Sequence, residues 1–117
     1  MPRFLLIDDD PIFGSILLSM ARKAGVDLTF WQSLTGKSHE SLAGFDLLIL
    51  DYELKNITGL QLLTNLGGLV PPTLLVSAYR LDRLRLARRV DWILWKNHGP
   101  GEILRFALQI HAEISDK

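Results

Sequence analysis

Short runs of consecutive apolar residues recur along this chain, and each run stops at a polar residue. Residues 4–7, 47–50, 74–76 and 92–95 are runs of this kind. A run without polar alternation is typical of a strand that is buried on both faces of a parallel sheet. Together with a further strand at 26–31, the pattern predicts strands at residues 4–7, 26–31, 47–51, 73–77 and 92–96.

Between these strands the apolar residues are spaced three or four positions apart, which is typical of amphipathic helices. The first predicted helix begins with Asp10 as its N-cap and Pro11 at its first position, and Gly25 ends it. Its predicted buried face is Ile12, Ile16, Leu17, Met20 and Ala24. Further helices are predicted at 59–66, at 80–89 and from residue 99 onward, whereas the polar segment 37–43 predicts a weak helix at best.

Five strands that alternate with about five helical segments predict an α/β three-layer sandwich, and right-handed crossovers make a doubly wound, five-stranded parallel sheet the expected topology. The 117 residues are expected to form one domain, 1–117. The absence of cysteine excludes disulfides and thiolate metal sites, and it is compatible with the cytoplasm, where we expect the protein. No apolar run approaches the ~20 residues that a membrane span needs, and no signal-peptide pattern precedes the first strand.

The net charge of zero hides an asymmetry between the two halves of the chain. Residues 1–60 carry 5 Lys or Arg against 8 Asp or Glu, and residues 61–117 carry 8 against 5. Five of the basic residues are Arg80, Arg83, Arg85, Arg88 and Arg89. They form either a solvated helix face or a docking patch for an acidic partner. Nucleic-acid binding is not expected, because no helix-turn-helix or aromatic stacking set accompanies them.

Polar side chains stand at the ends of four predicted strands. Asp8 and Asp9 follow the first strand, Asp51 ends the third, Ser77 ends the fourth and Lys96 ends the fifth. Ligands of open α/β sheets bind at this carboxyl edge. Three acids crowded there repel one another unless a cation intervenes, and a set of oxygen ligands without cysteine favours Mg²⁺ over Zn²⁺. The simpler alternative is that the first acids only cap the following helix.

A carboxylate, a hydroxyl and an ammonium group beside a metal site are suited to phosphoryl transfer. The carboxylate of Asp51 can act as the nucleophile and form an aspartyl phosphate. Such a transfer depends on positioning and charge neutralisation more than on proton movement. Mg²⁺ held by the acids, the ammonium of Lys96 and the hydroxyl of Ser77 would surround the phosphoryl oxygens.

Across essentially its whole length the sequence resembles the receiver domains of two-component response regulators, in particular single-domain receivers of the chemotaxis type. The resemblance implies the flavodoxin-like fold with strand order 2-1-3-4-5. It implies that Asp51 is the phospho-acceptor, that Ser77 is the switch hydroxyl and that Lys96 pairs with the phosphoryl group. It also implies a Mg²⁺ site formed by Asp8, Asp9, Asp51 and the backbone carbonyl of Glu53. Gly59 stands where receivers have a glycine.

Several positions depart from the receiver pattern. Asn97 follows Lys96 where receivers usually have a proline in a cis peptide, and a cis bond before a non-proline residue costs ~2.5–4 kcal/mol. Ile93 stands where an aromatic side chain commonly reports phosphorylation, and Lys55 replaces a frequent proline. The interval from Ser77 to Lys96 is also about one helical turn shorter than usual. These departures leave unspecified how a change at Asp51 would be transmitted to the protein surface.

The resemblance implies a receiver that takes a phosphoryl group from a histidine kinase or phosphotransfer protein. It would catalyse its own phosphorylation and dephosphorylation, and it would signal to a downstream protein through the helix at 80–89, the fifth strand and the last helix. Glu53 and Tyr79 hold positions that tune hydrolysis in receivers, or they serve loop packing. We expect a monomer or weak dimer.

The first alternative is a pseudo-receiver, which would be an interaction module that works without phosphorylation. The second is a small phosphatase similar to haloacid dehalogenases. That class expects an aspartate where this chain has Glu53.

Overall fold

The computed structural model describes residues 2–67, 70–79 and 91–116. Five strands form one parallel sheet in the order β2-β1-β3-β4-β5. The strands are β1 (Arg3–Ile7), β2 (Asp27–Trp31), β3 (Leu47–Asp51), β4 (Thr73–Ser77) and β5 (Trp92–Trp95). This confirms the predicted fold class and strand order. The fifth strand ends one residue before the predicted boundary, because Lys96 begins a 3₁₀ turn, Lys96–His98.

The described helices are α1 (Pro11–Lys23), α2 (Gly59–Leu66) and α3 (Gly99–Ser115). The crossover between β2 and β3 contains only a 3₁₀ turn, His39–Leu42, in place of the weak helix that the sequence allowed. The helix predicted at 80–89, with its five arginines, lies outside the described residues. Within the described part of the chain, no helix is both long and apolar enough to cross a membrane.

The sheet separates two apolar layers, which makes the molecule a three-layer sandwich. Because neighbouring side chains of a strand point to opposite faces, Phe4 and Leu6 enter one layer while Leu5 and Ile7 enter the other. The first layer packs against α1 and α3, and the second packs against α2. All four of these β1 side chains are fully buried. A strand buried on both faces accounts for the unbroken apolar runs of the sequence.

The buried face of α1 shares only Leu17 with the predicted face, and the predicted Ala24 is exposed. Gly14, Leu17 and Ala21 face the sheet. The larger residues at the predicted positions are exposed: Ile12 by 71%, Ile16 by 43% and Met20 by 37%. The reason is close packing. A side chain at Gly14 would overlap the ring of Phe30, so small residues at this contact allow the helix to approach the sheet.

The register of the sheet places the polar strand ends side by side. Ile7 is paired with Leu50, and Asp51 is paired with Val76, one residue before Ser77. The residues that follow β1 therefore lie next to the end of β3, and β4 ends beside it. Ser77 is in turn paired with Trp95, the residue before Lys96. Parallel pairing thus brings the ends of β1, β3, β4 and β5 to one edge of the sheet. The polar residues at these ends are Asp8, Asp9, Asp51, Ser77 and Lys96.

Candidate functional site

Three acids meet at the carboxyl edge of the sheet. One carboxylate oxygen from each of Asp8, Asp9 and Asp51 lies within 4.8 Å of the other two. Asp8 is fully buried, Asp51 is 3% exposed, and Asp9 is half-buried at the rim. Asp8 is fixed by its Oδ1, which accepts a hydrogen bond of 2.9 Å from the backbone N–H of Asp10. The sequence predicted this convergence from the strand ends.

The donor set of this cluster fits a hard divalent cation. Oδ1 of Asp51 is buried and has no hydrogen-bond partner among the described residues. A buried carboxylate oxygen without a hydrogen bond is costly even with an ammonium 3.6 Å away, and a cation or a donor from a ligand would satisfy it. Three carboxylates within a few ångströms, one of them at the rim, suit Mg²⁺, which keeps several waters and takes only a few protein oxygens.

Lys96 supplies the positive charge of the site. Its Nζ donates a hydrogen bond of 2.7 Å to Oδ2 of Asp8 and lies 3.6 Å from Oδ1 of Asp51. It also stands 4.3 Å from the ring centroid of Phe13, over the aromatic face. Burial acts to lower the pKa of the Lys96 ammonium, but the hydrogen bond to Asp8 and the nearby acids outweigh it and raise that pKa. Lys96 is therefore charged throughout the neutral range.

Asp51 is the acid whose ionisation is most perturbed. Burial raises the pKa of its carboxyl to about 7, and the charge of Asp8 adds to the effect. Lys96 acts in the opposite direction, while Glu53 and Asp9 raise the pKa further. In the absence of a cation, a large fraction of Asp51 is therefore protonated near neutral pH. A cation bound by the three acids would favour the ionised form, which is the nucleophilic one.

The side chains of Ser77 and Glu53 are bonded to each other at the end of β4. Oγ of Ser77 donates a hydrogen bond of 2.9 Å to Oε1 of Glu53, and the backbone N–H of Ala78 donates one of 2.7 Å to the same oxygen. Ser77 is 1% exposed. The carboxylate of Glu53 therefore lies on the Ser77 side, outside the group formed by Asp8, Asp9 and Asp51. The role of its backbone carbonyl toward Mg²⁺ stays a prediction.

Gly59 holds the loop after Asp51 close to the sheet. A Cβ at this position would lie 2.5 Å from the backbone oxygen of Asp51, a distance that side chains do not adopt. Its N–H donates a hydrogen bond of 2.7 Å to the carbonyl of Tyr52, and the preceding Thr58 caps α2 through a reciprocal capping box with Gln61. The glycine thus permits a tight return of the chain beside the acids.

The structure shows the conformation or burial of three residues that the sequence analysis singled out. The described residues contain no cis peptide bond, so the chain passes from Lys96 to Asn97 in trans. Ile93 is half-buried and packs in the layer shared with α2. Tyr79 is 69% exposed, so the loop-packing role allowed for it is not what its side chain does.

Two contacts of the site were not predicted from the sequence. The indole Nε1 of Trp95 donates a hydrogen bond of 3.0 Å to the carbonyl of Ala78. Phe13 lies against Lys96 from the first helix. The pairing of Trp95 with Ser77 and the direction of its indole come from the structure alone.

A cleft of about 570 Å³ opens beside the acids. It lies between the end of β1, the segment after β2 and the loop after β3, and its wall includes Asp9, Gln32, Lys55 and Asn56. Asn56 adopts a left-handed conformation with φ of 72°. Apolar side chains, among them Leu34 and Ile57, also line it. The rim of the acid cluster is therefore accessible from this side.

The sequence matches no family model and no curated protein. Solved structures do match the fold. A CheY-like response regulator receiver domain from Methanospirillum hungatei JF-1 superposes with a TM-score of 0.82 at 19% identity, covering 99% of this chain and 98% of that chain. The response regulator protein TrrA from Thermotoga maritima, in complex with Mg²⁺-BeF, has a TM-score of 0.76 at 24% identity and covers 93% of this chain and 98% of that one.

A third matching structure contains a modified residue. It is a response regulator protein from Burkholderia pseudomallei with a phosphorylated aspartic acid, calcium ion and citrate. Its TM-score is 0.76 at 20% identity, and the match covers 99% of this chain and 72% of that chain. At these identities the likeness establishes the fold, which is that of CheY-like receiver domains.

Proposed function

We propose that this chain, residues 1–117, is a receiver domain that accepts a phosphoryl group on Asp51 in the presence of Mg²⁺. The observation that carries the proposal is the convergence of Asp8, Asp9 and Asp51 with Lys96 and Ser77 at one edge of the sheet. The Mg²⁺-BeF complex of TrrA and the phosphorylated aspartate of the Burkholderia protein support it by analogy of fold.

In the proposed reaction, a carboxylate oxygen of Asp51 attacks the phosphorus of the donor. A bond forms between that oxygen and phosphorus, the bond from phosphorus to the leaving atom breaks, and the bonding electron pair departs with the donor. Lys96, 3.6 Å from Oδ1 of Asp51, is placed to pair with a phosphoryl oxygen. The hydroxyl of Ser77 can donate a hydrogen bond to a second oxygen.

A cation at the acids would be held by Asp8, Asp9 and Asp51, with the carbonyl of Glu53 as the further predicted ligand. When bound, Mg²⁺ supplies positive charge that offsets the charge of the phosphoryl group and of the carboxylates. Asp8 keeps Lys96 in position through their 2.7 Å hydrogen bond. Half-exposed Asp9 lies where the cleft reaches the cluster, so its oxygen is accessible to a hydrated ion.

The proposed partners follow from this function. The donor is a histidine kinase or phosphotransfer protein, and the protein works in the cytoplasm as a monomer or weak dimer. The output surface comprises β5, α3 and the arginine-rich segment 80–89, whose charge suits an acidic protein surface better than nucleic acid. Hydrolysis of the aspartyl phosphate, by water attack on phosphorus, would return Asp51 to its starting state.

The test is intact-mass analysis after incubation with acetyl phosphate or phosphoramidate and Mg²⁺. We expect the gain of one labile phosphoryl group, lost in Asp51→Asn and retained in the matched control Asp116→Asn at the exposed end of α3. Chelation of Mg²⁺ should abolish the gain. If the mass does not change with either donor, or changes equally in Asp51→Asn, the chain is a phosphorylation-independent interaction module instead.

A further inference from the structure

The carboxylate of Glu53 occupies a small anion site formed by β4 and the residue after it. Both donors of this site, the Ser77 hydroxyl and the Ala78 N–H, converge on the single oxygen Oε1, at 2.9 and 2.7 Å. Oγ of Ser77 also accepts a hydrogen bond of 3.0 Å from the N–H of Tyr79. That N–H can only donate and a carboxylate oxygen can only accept, so the contact with Glu53 is the one that needs the hydroxyl hydrogen. The Ser77 hydrogen therefore points toward Glu53.

This anion site lies beside the nucleophile. Ser77 follows Val76, which is the register partner of Asp51. The N–H of Tyr52, directly after Asp51, donates to the carbonyl of Val76 at 2.8 Å, so the two strand ends are held together. The negative charge of Glu53 acts on Asp51 and contributes to its raised pKa. The two donors that bind Glu53 therefore stand at the strand end next to Asp51.

We propose that Glu53 is an internal substitute for a phosphoryl oxygen: its carboxylate binds the Ser77 hydroxyl and the Ala78 N–H in the unphosphorylated protein and must leave before a phosphoryl group on Asp51 can use them. The inference rests on the proposed function of Asp51 and adds a competition to it. Two hydrogen bonds to a carboxylate are broken when Glu53 leaves, and such charge-assisted bonds are among the stronger ones in proteins.

The main chain at Glu53 is held by contacts that do not involve its carboxylate. Glu53 forms an isolated antiparallel bridge with Thr58, the residue that caps α2. This bridge and the capping box fix the main chain. The second carboxylate oxygen, Oε2, is buried and has no partner among the described residues, so the present position of the side chain leaves one oxygen unsatisfied. Rotation toward solvent or toward a bound cation would satisfy that oxygen.

The exchange also offers a route from the site to β5. The segment after β4 is held from two sides, because Ala78 donates its N–H to Glu53 and accepts the indole N–H of Trp95 at its carbonyl, 3.0 Å away. When a phosphoryl oxygen replaces the Glu53 oxygen, the acceptor of the Ala78 N–H becomes attached to Asp51. A displacement of Ala78 would then be transmitted to Trp95. Trp95 would thus take the reporting role that the aromatic side chain at the Ile93 position commonly has in receivers.

Beryllofluoride with Mg²⁺ tests the competition without covalent phosphorylation. We expect Glu53→Ala to lower the dissociation constant for beryllofluoride by about tenfold or more, the effect of freeing two charge-assisted donors. Glu53→Asp is the informative second variant. It keeps the negative charge beside Asp51 but is one methylene shorter and falls short of Ser77, so it should also bind beryllofluoride more tightly. Glu113→Ala, at an exposed acid of α3, is the matched control and should leave the affinity unchanged.

The contact itself is measured by the Ala78 amide in nuclear magnetic resonance spectra recorded without any phosphodonor. Loss of the bond to Glu53 should move the amide proton upfield and speed its exchange with solvent in both Glu53 variants. Unchanged β3 amide signals show that each variant is folded. The contact is refuted if the Ala78 signal in Glu53→Ala matches that of the parent protein.

The outcomes separate this inference from the proposed function. A changed Ala78 amide with unchanged beryllofluoride affinity, or a gain in Glu53→Ala that is absent in Glu53→Asp, overturns the competition and leaves only an effect of charge. Failure of every protein to bind beryllofluoride overturns it as well. If both Glu53 variants bind more tightly while no donor ever labels Asp51, the competition stands and the phosphorylation cycle fails.

Discussion

Asp51→Asn is expected to stabilise the protein, and to do so more at higher pH. The reason is the raised pKa of Asp51, about 7 in the folded protein against 3.8 for an unperturbed group. An acid with a raised folded-state pKa binds its proton more tightly when folded than when unfolded. Between the two values the unfolded state has released the proton and the folded state has not, so the free energy of unfolding falls as the pH rises.

The magnitude follows from the distance between the two pKa values. Each pH unit in this interval is worth about 1.4 kcal/mol, so the full penalty above neutral pH is about 4 kcal/mol. Part of it is already present at mildly acidic pH, and the advantage of Asp51→Asn should therefore grow by roughly 2–3 kcal/mol between pH 5 and pH 8. Lys96 keeps its 2.7 Å hydrogen bond to Asp8 in the variant, so the substitution does not leave the ammonium unpaired.

Urea unfolding at a series of pH values, in a chelator that removes divalent cations, measures this difference directly. Asp116→Asn removes an exposed acid and should give a difference that is flat with pH. Saturating Mg²⁺ should reduce the advantage of Asp51→Asn, because a bound cation stabilises the ionised parent. An advantage that is constant or shrinks as the pH rises would refute the placement of Asp51 as a buried acid among acids.

Two further predictions concern the cation and the packing of the loop. Mg²⁺ at saturation should raise the free energy of unfolding of the parent by roughly 1–3 kcal/mol. Asp9→Ala should remove this dependence and should stabilise the cation-free protein, because one of three like charges is deleted. Equal Mg²⁺ shifts in melting temperature for the parent and the variant would contradict the prediction. Gly59→Ala, whose Cβ would lie 2.5 Å from the Asp51 carbonyl, should cost about 1–3 kcal/mol in urea unfolding. Gly101→Ala has open space around its Cβ and should be neutral or stabilising, and equal stability of the two variants would refute the packing argument.

The sheet and its polar edge could be predicted because a single physical rule governs them. A central parallel strand is covered on both faces, so its apolar run is unbroken, and the first polar residue marks the point where the strand leaves the core. That rule alone placed Asp8, Asp51 and Ser77 at one edge. The order of the strands came from the resemblance to receivers, since the apolar runs by themselves do not specify which strands are neighbours.

The face of α1 could not be predicted in the same way. Helical spacing identifies more than one apolar stripe in this segment, and hydrophobicity favours the stripe with Ile12, Ile16 and Met20. The structure instead buries Gly14 and Ala21, because the ring of Phe30 occupies the space that a larger side chain would need. Which face is buried depends on the shape of the sheet surface opposite the helix, and the sequence of the helix does not specify that shape.

The directions of individual side chains at the site also could not be predicted from the sequence. The sequence placed Glu53 two residues after Asp51, and the resemblance assigned its carbonyl to a cation. Which way the carboxylate turns depends on where unpaired donors stand, and the Ser77 hydroxyl and the Ala78 N–H come from a different strand. The indole of Trp95 is a similar case, because its acceptor lies on the residue after β4. Contacts between strand ends follow from the folded geometry rather than from local pattern.

The charges at this edge explain why cation and phosphoryl group are expected to act together. Among the residues that the structure describes, the carboxyl groups of Asp8, Asp9 and Asp51 lie together, and the charge of Glu53 also acts on Asp51. The ammonium of Lys96 contacts only Asp8 and Asp51 of these acids. A phosphoryl group would add further negative charge to a site that already raises the pKa of Asp51. Two changes reduce the repulsion: a divalent cation held by the three aspartates, and departure of Glu53 from the donors that the new oxygen needs. A protein without Mg²⁺ should therefore neither be labelled on Asp51 nor release Glu53, whereas shortening Glu53 should favour an anion on Asp51 only when Mg²⁺ is present.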